Sequence, residues 1–161
     1  MKLSELQRQI VEAPEDKIIV MSAAASGKSA CCAERVRFWL REGVDPKDIC
    51  VITFTNNAAQ ELRNRLTEDY KPELFIGTIH SLANQMLMKA NVNTFNLLNN
   101  ERYDELFELV EEHPECVIHY DYLILDEAQD SSPVEFNFIF NMIDPICFFV
   151  CGDVRQAIYN R

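Results

Sequence analysis

The stretch Ser22–Ser29, S-A-A-A-S-G-K-S, decides how this chain of 161 residues folds. It follows the apolar run Ile18–Met21 and precedes a segment with helical character, residues 30–40. A strand, a loop of small residues and a Lys-Ser pair at a helix start predict a phosphate-binding loop. In such a loop, backbone N–H groups and the positive end of the helix dipole face the anion. Lys28 would then reach the β- and γ-phosphates, and the Ser29 hydroxyl would hold Mg²⁺.

This loop has fewer glycines than the general pattern, which places one six residues before the lysine, where this chain has Ser22. Gly27 supplies a free backbone, whereas the three alanines at 23–25 carry a Cβ. An alanine forced to a positive φ would cost roughly 1–2 kcal/mol. The alternative interpretation is a turn of small residues that lets a helix pack close to a strand.

The composition excludes several classes of protein. A chain of this length is expected to form one α/β domain with a proper core. No apolar run approaches 18 residues and no basic N-terminal region precedes an apolar stretch, so neither a transmembrane helix nor a secretory signal is predicted. The six cysteines form no C-x-x-C pair, which favours buried thiols in the cytoplasm over a structural metal or disulfides. The net charge of −11 argues against broad nucleic-acid binding but permits a narrow single-strand groove.

Apolar patterning predicts strands that alternate with helices. The predicted strands are 18–21, 48–55, 74–77, 120–125 and 146–151; the predicted helices are 4–12, 28–41, 58–70, about 80–90, 101–112 and 134–143, with a loop at 91–98. Ser4-x-x-Gln7 is a capping-box pattern, and Gly43 is expected to end the second helix. The alternation indicates an α/β fold with a parallel sheet of about five strands covered by helices on both faces.

Polar side chains follow all five predicted strands, at the edge where ligands gather in parallel sheets. They are the phosphate loop, then Thr53, Thr55 and Asn56, then Thr78 and His80, then Asp126 and Glu127, and finally residues 153–156. Asp126 would emerge beside the phosphate site and hold Mg²⁺, and Glu127 could accept a proton from an attacking water. The alternative for this pair is a solvated acidic turn after a buried strand.

Six motifs occur along the chain in a fixed order. They are L-S-E-L-Q-R-Q-I-V (3–11), S-G-K-S (26–29), V-I-T-F-T-N-N-A-A-Q-E-L-R-N-R-L (51–66), G-T-I-H-S-L-A (77–83), L-I-L-D-E-A-Q-D (123–130) and G-D-V-R-Q-A-I-Y (152–159). In these motifs the chain resembles the UvrD/Rep/PcrA group of superfamily-one DNA helicases, over their first RecA-like domain. The resemblance implies a RecA-like P-loop NTPase fold, a single domain spanning residues 1–161, and an ATP-dependent DNA helicase as the parent enzyme.

The resemblance also implies a set of site residues. ATP would be bound by Gln7, which reads adenine, and by Ser22, Ala23, Ala24, Ala25, Ser26, Gly27, Lys28 and Ser29; Mg²⁺ would be held by Ser29 and Asp126. The catalytic residues would be Lys28, Glu127 and Gln156, which senses the γ-phosphate. Single-stranded DNA would contact Thr53, Phe54, Thr55, Asn56, Thr78, His80 and Tyr159. Structural alternatives are open for several of these: helix caps for Gln7, Thr55 and Asn56, a helix start for His80, the core for Phe54 and the surface for Tyr159.

The chain departs from the family's pattern in several places. Ala23 and Ala25 stand where relatives have glycine, Ala30 where they often have an adenine-stacking arginine, and Arg161 where a base-stacking aromatic is expected. The helical subdomain that relatives insert between the His and Asp-Glu motifs, here between about 84 and 118, is expected to be reduced or absent. The resemblance also implies a second RecA-like lobe as a partner, which in relatives supplies arginines to the ATP cleft and which we expect to lie outside residues 1–161. Because an arginine finger is worth roughly 10³ to 10⁵ in rate, we expect this fragment to hydrolyse ATP very weakly by itself.

Two other functions fit parts of the sequence. A thymidine-kinase-type P-loop kinase shares the G-K-S loop and can carry D-E-A-Q. Such kinases also commonly bear C-x-x-C pairs, which this sequence lacks, and the segments T-F-T-N-N-A-A and G-T-I-H-S have no role in them. A helicase-like module that binds nucleotide without catalysis would suit the alanine-rich loop and acidic surface. Against it, the residues that catalysis requires are all intact.

Overall fold

The computed structural model describes residues 2–23, 27–69 and 72–155. Within them, five strands form one sheet: β1 (Lys17–Ser22), β2 (Ile49–Thr53), β3 (Phe75–Thr78), β4 (Tyr122–Leu125) and β5 (Cys147–Asp153). All neighbouring strands pair in parallel, in the order β1-β5-β4-β2-β3. The α/β fold with a parallel sheet of five strands is therefore confirmed.

Helices cover both faces of this sheet. Those of the described residues are α1 (Glu5–Val11), α2 (Lys28–Arg41), α3 (Asn56–Arg65), α4 (Ile79–Lys89), α5 (Phe95–Asn99), α6 (Asp104–Glu112) and α7 (Pro133–Asn137), with a π-helical continuation of α7 at Phe138–Ile143 and 3₁₀ turns at Pro46–Asp48, Pro114–Cys116 and Ala128–Asp130. Helices α1, α2 and α3 share one apolar core with the sheet, and α4, α6 and α7 share the other. In the described part of the chain, no helix has the length and apolar composition to cross a membrane.

The strand interiors explain why the sheet forms the centre of the molecule. All five residues of β2 are buried, as its unbroken apolar run predicts for a strand covered on both sides. Trp39 and Phe149 fill the core on the α2 side, whereas Phe107 and Phe138 pack together on the α6 side with ring centroids 5.0 Å apart. Strand β1 differs because it lies at the sheet's edge, with Lys17, Ile19 and Met21 exposed.

Local sequence signals set several helix ends, and those at Ser4, Gly43 and Thr55 were predicted. Ser4 and Gln7 form the capping box of α1, each side chain accepting the other's backbone N–H. Gly43 follows α2 with a φ of 89°, a conformation in which any Cβ would be strained. Thr55 and Thr78 cap α3 and α4 by accepting the N–H groups of residues 58 and 81.

Three sequence predictions about the helices were wrong in extent. The predicted loop 91–98 contains the start of α5, because the Asn93 side chain accepts the N–H of Phe95 and the Thr94 carbonyl accepts the N–H groups of Leu97 and Leu98. Helix α3 ends at Arg65 rather than near 70, and a turn follows it. The helix predicted at 134–143 is α-helical only as far as Asn137, beyond which wider π-type turns continue it.

Candidate functional site

The phosphate loop turns into α2 at Gly27, whose φ is 79°. Because this left-handed turn falls on a glycine, the described part of the loop avoids the strain that an alanine would carry. Lys28 is the first residue of α2 and is only 8% exposed. Its Nζ donates to the carbonyl oxygen of Ala23 at 2.9 Å, so the lysine folds back along its own loop. Ala24, Ala25 and Ser26 lie outside the described residues.

Ser29 and Asp126 meet across 97 residues of sequence. The Ser29 hydroxyl donates to Asp126 Oδ2 at 3.0 Å, which joins the first turn of α2 to the end of β4. The Asp126 N–H donates to the carbonyl of Ile52 at 3.0 Å, continuing the pairing of β4 with β2. Backbone and side chain together therefore fix this carboxylate at the same edge of the sheet as the phosphate loop.

Burial raises the pKa of the Asp126 carboxyl, and the hydrogen bond from Ser29 opposes this effect. The negative charge of Glu127 raises this pKa further, and the nearby Lys28 ammonium lowers it. A desolvated carboxylate of this kind is stabilised when a cation lies next to it. Hydroxyl and carboxylate oxygens are also the ligands that Mg²⁺ takes, usually with only one or two from the protein. The residues present therefore fit an Mg²⁺ ion.

Glu127 is held in an unusual backbone conformation beside this site. Its φ is 55° and its ψ 46°, a left-handed conformation that L-residues rarely adopt. Its N–H donates to Asp126 Oδ1 at 3.0 Å, and its Oε2 accepts from the Nε2 of Gln129. Gln129 also accepts the backbone N–H of Asp153, the last residue of β5, at 2.9 Å. Sequence reasoning gave Gln129 and Asp153 no specific role, although both lie within the strand-end motifs.

The ends of β2 and β3 carry a more exposed set of side chains. Thr53 is buried and its hydroxyl donates to the carbonyl of Thr55 at 3.0 Å, whereas Phe54 is 52% exposed. The alternative that Phe54 is a core residue is therefore wrong. Thr55, by contrast, is a helix cap, and so is Thr78.

His80 lies in the first turn of α4 against an aromatic cluster. Its ring centroid is 5.3 Å from that of Tyr103 and 5.5 Å from that of Phe107. Its Nε2 lies 3.7 Å from Oε1 of Glu135, a buried carboxylate in the capping box of α7. About a third of its side chain stays exposed.

Gln7 lies on α1, and a buried arginine of α2 holds the segment that follows α1. The Gln7 Oε1 accepts the N–H of Ser4 at 2.8 Å. The Arg35 guanidinium donates to the carbonyls of Val11, Ala13 and Glu15, at 2.6, 2.8 and 3.3 Å. No sequence signal identified Arg35, because an arginine in an amphipathic helix is ordinarily expected to face solvent. Gln156 and Tyr159 lie outside the described residues, and their roles stay predictions.

A parallel sheet whose edge brings a Gly-Lys-Ser helix start against an Asp-Glu pair defines the chain as a P-loop protein of RecA-like type. The family model of the UvrD/REP helicase N-terminal domain matches residues 3–114, and the chain belongs to this family. The family match leaves the thymidine-kinase-type and non-catalytic alternatives without support.

Individual relatives agree with this family. DNA helicase II of Escherichia coli (strain K12) is 35% identical over 109 residues, covering 62% of this chain and 15% of that protein. A probable DNA helicase of Mycoplasma pneumoniae is 31% identical over 144 residues, covering 86% and 27%. The ATP-dependent DNA helicase PcrA of Leuconostoc citreum is 33% identical over 92 residues, covering 54% and 12%. The aligned region thus spans between 12% and 27% of the length of these three proteins.

Proposed function

We propose that this chain is the ATP-binding and single-strand-contacting part of an ATP-dependent DNA helicase, and that it requires a second RecA-like lobe for full activity. The observation that carries this proposal is the hydrogen bond between Ser29 and Asp126, because it joins the phosphate loop to the acidic strand end. The names of the relatives, which are DNA helicases, support it. In the same proposal, residues 1–161 form one cytoplasmic RecA-like domain, with α5 and α6 in place of a larger inserted subdomain.

Each residue at the phosphate edge has a chemical part in this proposal. Lys28 would exchange the Ala23 carbonyl for the β- and γ-phosphate oxygens of ATP, with Gly27 allowing close approach of the backbone. Ser29 and Asp126 would hold Mg²⁺, which neutralises charge on the phosphates when bound. Glu127 would accept the proton of the attacking water, since its carboxylate lies on the residue next to the metal ligand.

The single-strand contacts would follow from the paired ends of β2 and β3. Thr53 of β2 lies opposite Thr78 of β3 in the parallel register. Phe54 follows Thr53 by one residue and His80 follows Thr78 by two, so both lie just past the paired ends of these strands. An exposed aromatic ring can stack on a nucleobase, and this contact does not need a basic surface. Thr55, Asn56 and the Thr78 side chain would supply polar contacts to the same strand.

Nucleotide binding by the Lys28→Ala variant tests the proposal. Binding of a fluorescent ATP analogue is measured with and without Mg²⁺ for the wild-type chain, Lys28→Ala and Lys47→Ala. Lys47 is the matched control because it lies in the turn before β2, at the opposite end of the strands, and is 68% exposed. We expect Mg²⁺ to strengthen binding to the wild type and Lys28→Ala to weaken it at least tenfold, because a charged hydrogen-bond donor to phosphate is removed.

The two variants separate a phosphate site from nonspecific attraction. Lys47→Ala should bind as the wild type does, with both variants keeping the wild-type circular dichroism spectrum. Equal binding by wild type and Lys28→Ala, or no binding by the wild type, would overturn the proposal.

A further inference from the structure

Gln129 lies between the two strand ends that carry the proposed machinery. Its Nε2 donates to Oε2 of Glu127 and lies 3.5 Å from Oδ2 of Asp130. Its Oε1 accepts the backbone N–H of Asp153 at 2.9 Å. The bond to Asp153 fixes the orientation of the carboxamide, because a backbone N–H only donates and therefore needs the amide oxygen as its acceptor.

Strand β5 is shaped to receive this carboxamide. A Cβ at Gly152 would lie 3.3 Å from Oε1 of Gln129 and 3.0 Å from Sδ of Met21, which is closer than ordinary contact. A side chain at position 152 would therefore require the Met21 side chain and the carboxamide to shift by a few tenths of an ångström. The glycine is explained here by space rather than by its backbone conformation.

Glu127 is a residue that needs such support. Its left-handed backbone is unfavourable for a residue with a Cβ, and such conformations persist only where the surroundings determine them. Asp126 holds the backbone N–H of Glu127, and Gln129 holds its carboxylate. The two contacts therefore hold the backbone and the carboxylate of Glu127 beside Asp126.

We propose that Gln129 is a positioning residue that fixes the Glu127 carboxylate and couples it to the end of β5 through the N–H of Asp153. Because one rigid carboxamide makes both contacts, movement of the Glu127 carboxylate changes the hydrogen bond at Asp153. Strand β5 leads directly into residues 154 and 155 and on toward Gln156, for which γ-phosphate sensing is predicted. The link to nucleotide rests on the proposed function, whereas the bridge between Glu127 and Asp153 does not.

Hydrogen exchange at the Asp153 amide tests the bridge without nucleotide. The rate is measured by NMR in the ¹⁵N-labelled wild-type chain, Gln129→Ala, Glu127→Ala and their double variant, with Gln60→Ala as control. Gln60 is the matched control because it is an exposed glutamine on α3 that donates to Asn64, one turn further along the same helix. We expect Gln129→Ala to speed exchange roughly fivefold or more, since one hydrogen bond is lost.

The coupling itself is read from Glu127→Ala. This variant should also speed exchange at Asp153, although it removes no atom that touches that amide. The double variant should be no faster than Gln129→Ala, and Gln60→Ala should match the wild type. If Glu127→Ala leaves the exchange rate of the Asp153 amide unchanged while Gln129→Ala raises it, the carboxamide does not couple Glu127 to Asp153. That result would overturn the proposal.

A second arm uses Mg²⁺ with a slowly hydrolysed ATP analogue. Gln129→Glu has nearly the same shape as the wild-type side chain. It keeps an oxygen that can accept the N–H of Asp153, but it replaces the amide nitrogen that donates to the Glu127 carboxylate. With the analogue at a saturating concentration for each protein, we expect it to shift the Asp153 amide resonance in the wild type and this shift to be lost in both Gln129 variants. A shift that persists in both would overturn the coupling. If the wild type fails to bind the analogue, the proposed function fails, and the exchange measurements still decide the bridge.

Discussion

Two groups of polar residues at the same edge of the sheet are built in opposite ways. The phosphate side consists of Lys28, Ser29, Asp126, Glu127, Gln129 and Asp153, whose side chains or backbone groups bond to one another or to the loop. The strand-end surface consists of Phe54, which faces solvent, Thr55, which caps α3, and His80, which packs on aromatic rings with about a third of its side chain exposed. Asp126 is 3% exposed and Phe54 is 52% exposed.

The difference lies in what each group costs the fold. Burying a carboxylate is unfavourable unless partners or a cation compensate it, so the phosphate side holds charge at the expense of folding free energy. The strand-end surface contains no deeply buried charge of its own, and Thr55 stabilises the start of α3. We therefore expect substitutions on the phosphate side to separate stability from binding, and those on the strand-end surface to have small, local effects on stability.

The largest effect is expected for Asp126→Asn, which should lose the Mg²⁺-dependent part of nucleotide binding and yet fold more stably at neutral pH. The pKa of the Asp126 carboxyl is raised by burial, so the folded protein holds this proton more tightly than the unfolded chain does. As the pH rises from 3.8, the ordinary pKa of the unfolded chain, through the higher pKa of the folded protein, ionisation of Asp126 lowers the free energy of unfolding. Asparagine does not ionise, so the variant avoids this loss of stability. We expect a gain of about 1 kcal/mol, or roughly 2–4 °C in Tm.

Thermal unfolding across pH checks this sign. The advantage of Asp126→Asn should be full above the raised pKa and should shrink as the pH falls toward 3.8, where the wild-type carboxyl is also protonated. Asp121→Asn is the matched control, because Asp121 is exposed just before β4. If the variant is less stable than the wild type at neutral pH, the Ser29 contact stabilises the fold by more than the desolvation of Asp126 costs. The claim that the phosphate side lowers the stability of the fold would then be wrong.

The sequence predicted where both groups lie, because each follows the carboxyl end of a strand, but it did not predict their contrast in burial. Apolar runs located all five strands, and the rule that ligands gather at strand carboxyl ends led us to expect Ser29 and Asp126 at one edge. The Gln129 bridge and the carbonyls held by Arg35 were not predicted, since both depend on side chains brought together by tertiary packing. Helix α5 was missed because its asparagine-rich composition is typical of a loop, while Leu97 and Leu98 pack on the core.

An intermediate effect is expected at Thr55. Thr55→Ala should destabilise the chain by about 1 kcal/mol, because the N–H of Ala58 loses its side-chain acceptor at the start of α3. Thr55→Ser keeps the hydroxyl and should stay within about 0.5 kcal/mol of the wild type. Urea unfolding of the three proteins measures this, and nucleotide affinity should be unchanged in both variants. A loss of nucleotide binding in Thr55→Ala would mean that the two groups are coupled rather than separate.

The smallest effect on stability is expected for Phe54→Ala, within about 0.5 kcal/mol of the wild type. Phe107→Ala is the matched control: the same substitution at a ring that is 2% exposed should cost about 3–5 kcal/mol.

If Phe54 stacks on a nucleobase, its removal should weaken oligothymidine binding at low salt at least fivefold, since one stacked base contributes roughly 1–3 kcal/mol. Fluorescence anisotropy measures this loss. If Phe54→Ala keeps its stability but loses DNA affinity, the ring serves ligand binding. If it loses neither, Phe54 is an ordinary surface residue, and single-stranded DNA would have to bind elsewhere on the protein.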